Sequence, residues 1–181
     1  MNYTEIVVKM DVANHSFLTK QMPPADAARI MLAYHSIAKG LATRGGNIWK
    51  CKGDGIILIF KTSELAVTGM IHLLSELNDL NKNPLLVNTP FLVRIAIVQN
   101  HAHSLMAVEE GMRSTELNAS LNEAGHLEKK CPISRIAISE EVFKDIHSFQ
   151  RLFRPTPKGN YFILEERRLL PQEKDLAEHL L

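Results

Sequence analysis

The apolar positions of this chain alternate between two rhythms: short β-branched runs, and longer stretches in which they recur at helical spacing. The run 4–11, TEIVVKMD, reads as a buried strand ending in Asp11. NHSFLTKQMPP reads as a polar connection, and its Pro24 suits the first turn of a helix, where no backbone N–H is needed. From Ala25 to Thr43, the residues Ala27, Ile30, Met31, Tyr34, Ala38 and Leu41 line one helical face. Gly45-Gly46 ends that helix, because glycine accepts the left-handed backbone a C-terminal cap requires. NIWKCK and GIILIF then form two strands around the turn Gly53-Asp54-Gly55. A second helix runs from about Ser63 to Leu80, with Val67, Met70, Ile71, Leu74 and Leu77 inward.

NKNPLLVNTP is a loop, and FLVRIAIVQ is a strand that is apolar on both faces apart from Arg94, which predicts a central position. Between Asn100 and Arg113 the pattern is weak; HSLMAVEEG reads as a short strand and a turn, and His101 and His103 as surface residues. Thr115 to Lys130 reads as helical in its second half. SRIAIS is a strand, and EEVFKDI a short helix with Ser139 as its N-cap. FQRLFR and NYFILEE read as a closing strand pair, and the tail LLPQEKDLAEHLL as a short helix with Leu176, Ala177, Leu180 and Leu181 on one side. The element order predicts an α+β protein with a ferredoxin-like βαββαβ core and additional αβ elements. The expected division is one domain over 1–165 and a C-terminal tail over 166–181, with no repeats and no linker.

At 181 residues the chain can bury a sizeable core. Its net charge of +1 gives no general grip on nucleic acid or an anionic membrane. The longest apolar runs are too short to cross a bilayer, and the start of the chain lacks the layout of a signal peptide. Cys51 and Cys131 give neither a disulfide framework nor a zinc-ligand spacing. A cytoplasmic protein is the expectation.

One hairpin changes the picture. RGGNIWKCKGDGIILIF places a carboxylate, Asp54, at the tip of a turn, with Lys50 and Lys52 just before it. In an antiparallel ferredoxin-like sheet this tip neighbours the end of the first strand, where Asp11 lies. Two adjacent carboxylates suit a hard divalent cation. Taken singly, each is an ordinary strand-end or turn residue.

Four blocks in order, VVKMDVANHSFLTK, RGGNIWKCKGDGIILIF, LNASLNEAGHLEKKC and ISRIAISEEVF, resemble the class III nucleotidyl cyclase catalytic domain of adenylate and guanylate cyclases. The first is similar to a strand ending in Asp-Ile-x-Gly-Phe-Thr, the second to Gly-Gly-x-x-x-Lys-x-x-Gly-Asp, and the third to Val-Asn-x-Ala-x-Arg-Leu-Glu. The fourth is similar to the strand and Ser-Glu helix start that follow. The resemblance spans roughly Ile6 to Leu164. It implies conversion of a nucleoside triphosphate, most simply ATP, to its 3′,5′-cyclic monophosphate plus pyrophosphate, with two Mg²⁺ or Mn²⁺ ions per site.

By the same resemblance Asp11, Asp54 and the carbonyl of Val12 hold the metals. Asn14, His15 and Ser16 lie under the triphosphate with Lys158, while Lys50 and Thr115 read the base. Asn122 positions the ribose. Where the family has an arginine that stabilises the pentavalent phosphorus, this chain has His126, with Lys129 and Lys130 one turn further on as possible replacements. Asn14 stands for the family's glycine and His15 for its aromatic residue. Trp49 and Cys51 read as packing residues facing away from Lys50. The family's site lies between two subunits, which implies a head-to-tail homodimer, and regulation is expected from a separate protein. Two other readings stay open: a degenerate cyclase-fold module that binds nucleotide or a protein without turnover, and a cyclase for another base, GTP or a pyrimidine triphosphate.

Overall fold

The computed structural model describes residues 5–13, 15–21, 23–42, 44–82, 92–100, 115–157 and 160–165. Strand β1 (Ile6–Val12) leads into two helices, α1 (His15–Gln21) and α2 (Pro24–Ala42), and then into the hairpin β2 (Gly46–Lys52) and β3 (Gly55–Phe60). Next come α3 (Ser63–Asn81), β4 (Val93–Gln99), α4 (Thr115–Lys130), β5 (Arg135–Ser139) and α5 (Glu140–Asp145). A 3-10 turn (Gln150–Leu152), β6 (Phe153–Pro155) and β7 (Tyr161–Leu164) close the described chain.

The seven strands of the described residues form one sheet in the order β2-β3-β1-β4-β5-β7-β6. The first four are mutually antiparallel, the arrangement expected of a ferredoxin-like core. β5 adds in parallel to β4, which requires the crossover that contains α4, and β7 and β6 follow antiparallel.

Strand alternation divides the core in two. Ile6, Val8, Met10 and Val12 of β1 face a large cluster shared with Ile30, Tyr34, Ala38 and Leu41 of α2 and with Val67, Met70 and Ile71 of α3. Val7 points the other way, into a smaller cluster with Ala96, Val98 and the α4 residues Ala124 and Leu127. β4 is buried on both faces, as its composition predicts, with Ile95, Ala96, Ile97 and Val98 all inaccessible.

The helix boundaries follow local chemistry. Pro24 occupies the first position of α2. Thr62 caps α3 by accepting from the Leu65 N–H, and Ser139, the cap read from the sequence, caps α5 by accepting from the Val142 N–H. The double glycine has two distinct tasks. Gly45 takes a left-handed φ of 103°, while Gly46 begins β2 so close to Phe60 that a β-carbon there would lie 2.7 Å from the ring. The second glycine is therefore a packing requirement and not part of a helix cap.

Three expectations need correction. The segment read as a polar connection contains α1, a two-turn helix with too few apolar positions to show a period. α4 is helical over the whole of Thr115–Lys130, not only its second half. The closing strands are shorter than expected, because Gln150–Leu152 turns as a 3-10 helix before β6. Residues 101–114, with His101 and His103, and the tail 166–181 lie outside the described residues. Among the described residues no helix is long and apolar enough to cross a membrane.

Candidate active site

The turn between β2 and β3 is two residues long, since Lys52 pairs with Gly55. Gly53 takes φ = 63°, which a type II′ hairpin demands at its first turn position and glycine supplies without steric cost. The imidazole Nε2 of His35, on α2, lies 3.0 Å from the Gly53 carbonyl oxygen and ties the turn to that helix. Asp54 is thereby held beside the last residues of β1, because β1 and β3 are paired up to Met10 and Ile56.

Asp11 and Asp54 meet there, both half-buried and sharing a side-chain hydrogen bond. Burial raises the Asp11 carboxyl above its ordinary value of 3.8, and the negative charges of Asp54 and then Glu128 push it further the same way. The Val12 backbone N–H opposes this by donating to the carboxylate. The first residue of α1 completes the group: His15 Nδ1 lies 3.5 Å from Asp54 Oδ2. Beneath them Tyr34 is fully buried, and burial together with the charges of Asp11, Asp54 and Cys51 keeps its phenol protonated.

The pair fits a divalent cation. Two carboxylates brought together at a half-buried site repel unless a proton or a positive charge lies between them. Among the described residues no group of three or more His, Cys, Asp or Glu side chains is placed to hold a metal ion. Mg²⁺ takes one or two carboxylates and fills its other positions with water and phosphate oxygens, so a pair alone suffices in number.

The other predicted residues distribute unevenly. Val12 ends β1 with its side chain in the large core cluster, and Ser16 is exposed on α1. Lys50 is exposed on β2 opposite Ile57, on the α4 side of the sheet. Asn122 and His126 are both exposed on α4, one turn apart. Thr115 is the first residue of α4. Asn14 and Lys158 lie outside the described residues. Lys130 sits with its ammonium 5.7 Å from the centre of the Tyr161 ring, so its charge is engaged toward β7, while Lys129 is exposed.

Several neighbours of the pair were not anticipated. Cys51, read as a packing residue, is exposed, with its sulfur 3.6 Å from Nε2 and 3.8 Å from Nδ1 of His35. A register shift between Ile48 and Lys50 sets its orientation: Cys51 pairs with Ile56 on the α2 side. Lys9 on β1 reaches 3.5 Å to Glu128 on α4, whose side chain is 4% exposed. Gly125 lies beside it: a β-carbon there would stand 3.4 Å from the Lys9 ammonium. A cavity of about 200 Å³ lies between α2 and α3, lined by Ser36, Ile37, Gly40, Leu41, Arg44 and Glu76; none of these belongs to the Asp11–Asp54 group.

The fold so assembled is that of the class III nucleotidyl cyclase catalytic domains, the adenylyl and guanylyl cyclases. The adenylyl cyclase CyaB from P. aeruginosa superimposes with a TM-score of 0.69 at 16% identity, over 92% of this chain and 96% of that one. A bacterial light-regulated adenylyl cyclase gives 0.71 at 18% identity, over 98% of this chain and 57% of the longer protein. The guanylate cyclase domain of RhGC from Catenaria anguillulae, in complex with GTP, gives 0.62 at 16% identity, over 92% and 98%. No protein-family model and no curated protein sequence matches the chain.

Proposed function

We propose that this domain is a nucleotidyl cyclase that converts a nucleoside triphosphate, most simply ATP, to the 3′,5′-cyclic monophosphate and pyrophosphate. The observation that carries the reading is the Asp11–Asp54 pair, held together by three elements at the cost of mutual repulsion. Such an arrangement is unfavourable for folding alone, and sites of this kind are where function is concentrated. In the reaction the ribose 3′-oxygen bonds to the α-phosphorus, the bond from that phosphorus to the β-phosphate bridge breaks, and the 3′-hydroxyl proton is released. Asp11, Asp54 and the Val12 carbonyl would hold two Mg²⁺ or Mn²⁺ ions, which supply acidification of that hydroxyl and neutralisation of the triphosphate.

The remaining groups bind and orient. Backbone N–H groups of Asn14, His15 and Ser16, with Lys158, hold the phosphates; Lys50 and Thr115 contact the base; Asn122 positions the ribose. Asn122 and His126 serve a second copy of the chain. Glu128, buried toward Lys9, and His126 are separated by about 200° around the helix, so they face opposite sides of α4. An exposed His126 on the side of α4 away from Glu128 supports a role at a partner's site, and with it a head-to-tail homodimer.

Imidazole in place of a guanidinium lowers the expected rate, because His126 lacks a permanent charge and a fork of donors. That exchange favours one rival reading, a cyclase-fold module that binds nucleotide or a partner protein without turnover. A cyclase for GTP or a pyrimidine triphosphate is the other alternative, since Lys50 and Thr115 are the only base-reading residues proposed. Incubation of the purified protein with each of the four triphosphates and Mn²⁺, with chromatography of the products, separates the three. A cyclic product that falls about a thousandfold in Asp54→Ala supports the cyclase. Metal-dependent nucleotide binding with no cyclic product from any triphosphate overturns it.

A further inference from the structure

The turn that carries Asp54 can close in two ways, and a residue outside the hairpin selects between them. Its two residues are Gly53 and Asp54, and types I′ and II′ both suit such a pair. The types differ at the second residue, whose φ is positive in type I′ and negative in type II′. They interconvert by turning over the peptide between Gly53 and Asp54. We infer that His35 is a positioning residue for Asp54: by donating to the Gly53 carbonyl it holds the type II′ turn and so aims the carboxylate at Asp11. The inference rests on the proposed reading for what Asp54 does, and not for the choice of turn.

Geometry carries it. Gly53 takes φ = 63°, and Asp54 is not among the described residues with positive φ, so the turn is type II′. Aspartate is one of the few residues that tolerate positive φ, so the sequence alone does not exclude type I′. His35 Nε2 lies 3.0 Å from the Gly53 carbonyl oxygen. A carbonyl can only accept, which assigns the proton to Nε2. That oxygen belongs to the peptide that must turn over, and a planar peptide carries the Asp54 N–H and α-carbon with it. Turning it over points the oxygen away from His35 and breaks the bond.

The imidazole is itself held in place. Its neighbour Tyr34 is fully buried, and the two rings stand 5.8 Å apart at 46°. Cys51 Sγ lies 3.6 Å from one ring nitrogen and 3.8 Å from the other. Such near-equal distances place the sulfur against the ring and not at the lone pair of either nitrogen. A donor locked by packing gives up little freedom in making its bond. One hydrogen bond of ordinary strength shifts an equilibrium between two turns by about tenfold.

The test combines nuclear magnetic resonance of the full chain with steady-state kinetics on ATP and Mn²⁺. The amide protons of Gly53 and Asp54 are close together in type I′ and far apart in type II′, so the nuclear Overhauser effect between them reads the turn. It should be weak in the wild type. It should strengthen in His35→Phe, which keeps a ring but has no N–H, and in His35→Ala. His35→Gln, which returns a donor at similar reach, should restore the weak effect. In the Phe and Ala variants kcat should fall about fivefold with KM for ATP little changed, and His35→Gln should recover most of the loss. An unchanged Overhauser effect in both His35→Phe and His35→Ala overturns the inference, and so does an unchanged kcat in an active protein. A wild type that forms no cyclic product from any triphosphate defeats the cyclase reading alone; the Overhauser effect then still decides whether His35 selects the turn.

Discussion

At the acid pair, three elements converge: the end of β1 brings Asp11, and the start of α1 brings His15, each beside Asp54 at the β2–β3 turn. On α4, by contrast, one helix carries Asn122 and His126 on an exposed face, while its opposite face is fixed by Ala124, Leu127 and the Lys9–Glu128 pair. The first region is assembled within a single chain and holds its charges at an electrostatic cost. The second is supported from the sheet side and exposes Asn122 and His126 on the other. The proposed function reads the first region as a metal-binding half and the second as a transition-state half that a second copy would supply.

The contrast can be broken from below. Lys9 pairs with a nearly buried Glu128, and Glu128 also acts on Asp11, so this ion pair links the two regions. Lys9→Met leaves Glu128 buried and uncompensated, and should cost about 3 kcal/mol of stability, read from denaturant unfolding. Lys9→Met combined with Glu128→Leu should recover most of that loss, since a buried pair replaced by apolar residues is close to neutral.

A smaller effect sharpens the α4 side. His126→Arg restores a permanent charge and a fork of donors to the exposed face, and should raise the turnover rate by about a hundredfold with KM little changed. A gain of that size requires that the rest of the site is complete. An unchanged rate would assign the exposed face of α4 to some other contact.

The smallest effect concerns the acid pair. Folding raises the Asp11 pKa, so the unfolded chain releases this proton first as pH rises through 3.8, and the folded state loses stability until pH passes its own higher value. Asp11→Asn removes that loss. Its melting temperature should match the wild type near pH 3 and exceed it at pH 7 in the absence of divalent ions, while cyclic product disappears. The order should reverse with saturating Mn²⁺, which binds the wild-type pair and stabilises the folded state.

Much of this was legible in the sequence because it depends on local pattern. The β-branched runs of β1, β3 and β4, the proline opening α2 and the Gly53-Asp54 turn each announce themselves over a few residues. So did the meeting of Asp11 and Asp54, once the strand order was inferred. α1 was missed because His15–Gln21 has only Phe17 and Leu18 to mark a period. The contacts of Lys9 with Glu128 and of His35 with Gly53 were missed for a different reason. They join residues 119 and 18 positions apart, and their existence depends on which helix covers which strand. Cys51 was misjudged because the register shift beside Trp49, and the helix lying over that edge, leave no signature in a run of six residues.

The most direct test is complementation between two inactive chains. Asp54→Ala removes the metal-binding half of each site, and Asn122→Ala removes the ribose-positioning half. Each protein alone should form almost no cyclic product. Mixed in equal amounts and allowed to exchange subunits, half the dimers would be mixed, each with one intact site of two, so about a quarter of the wild-type rate should return. If the mixture stays as inactive as its components while the wild type is active, Asp54 and Asn122 act within one chain and the shared site is refuted.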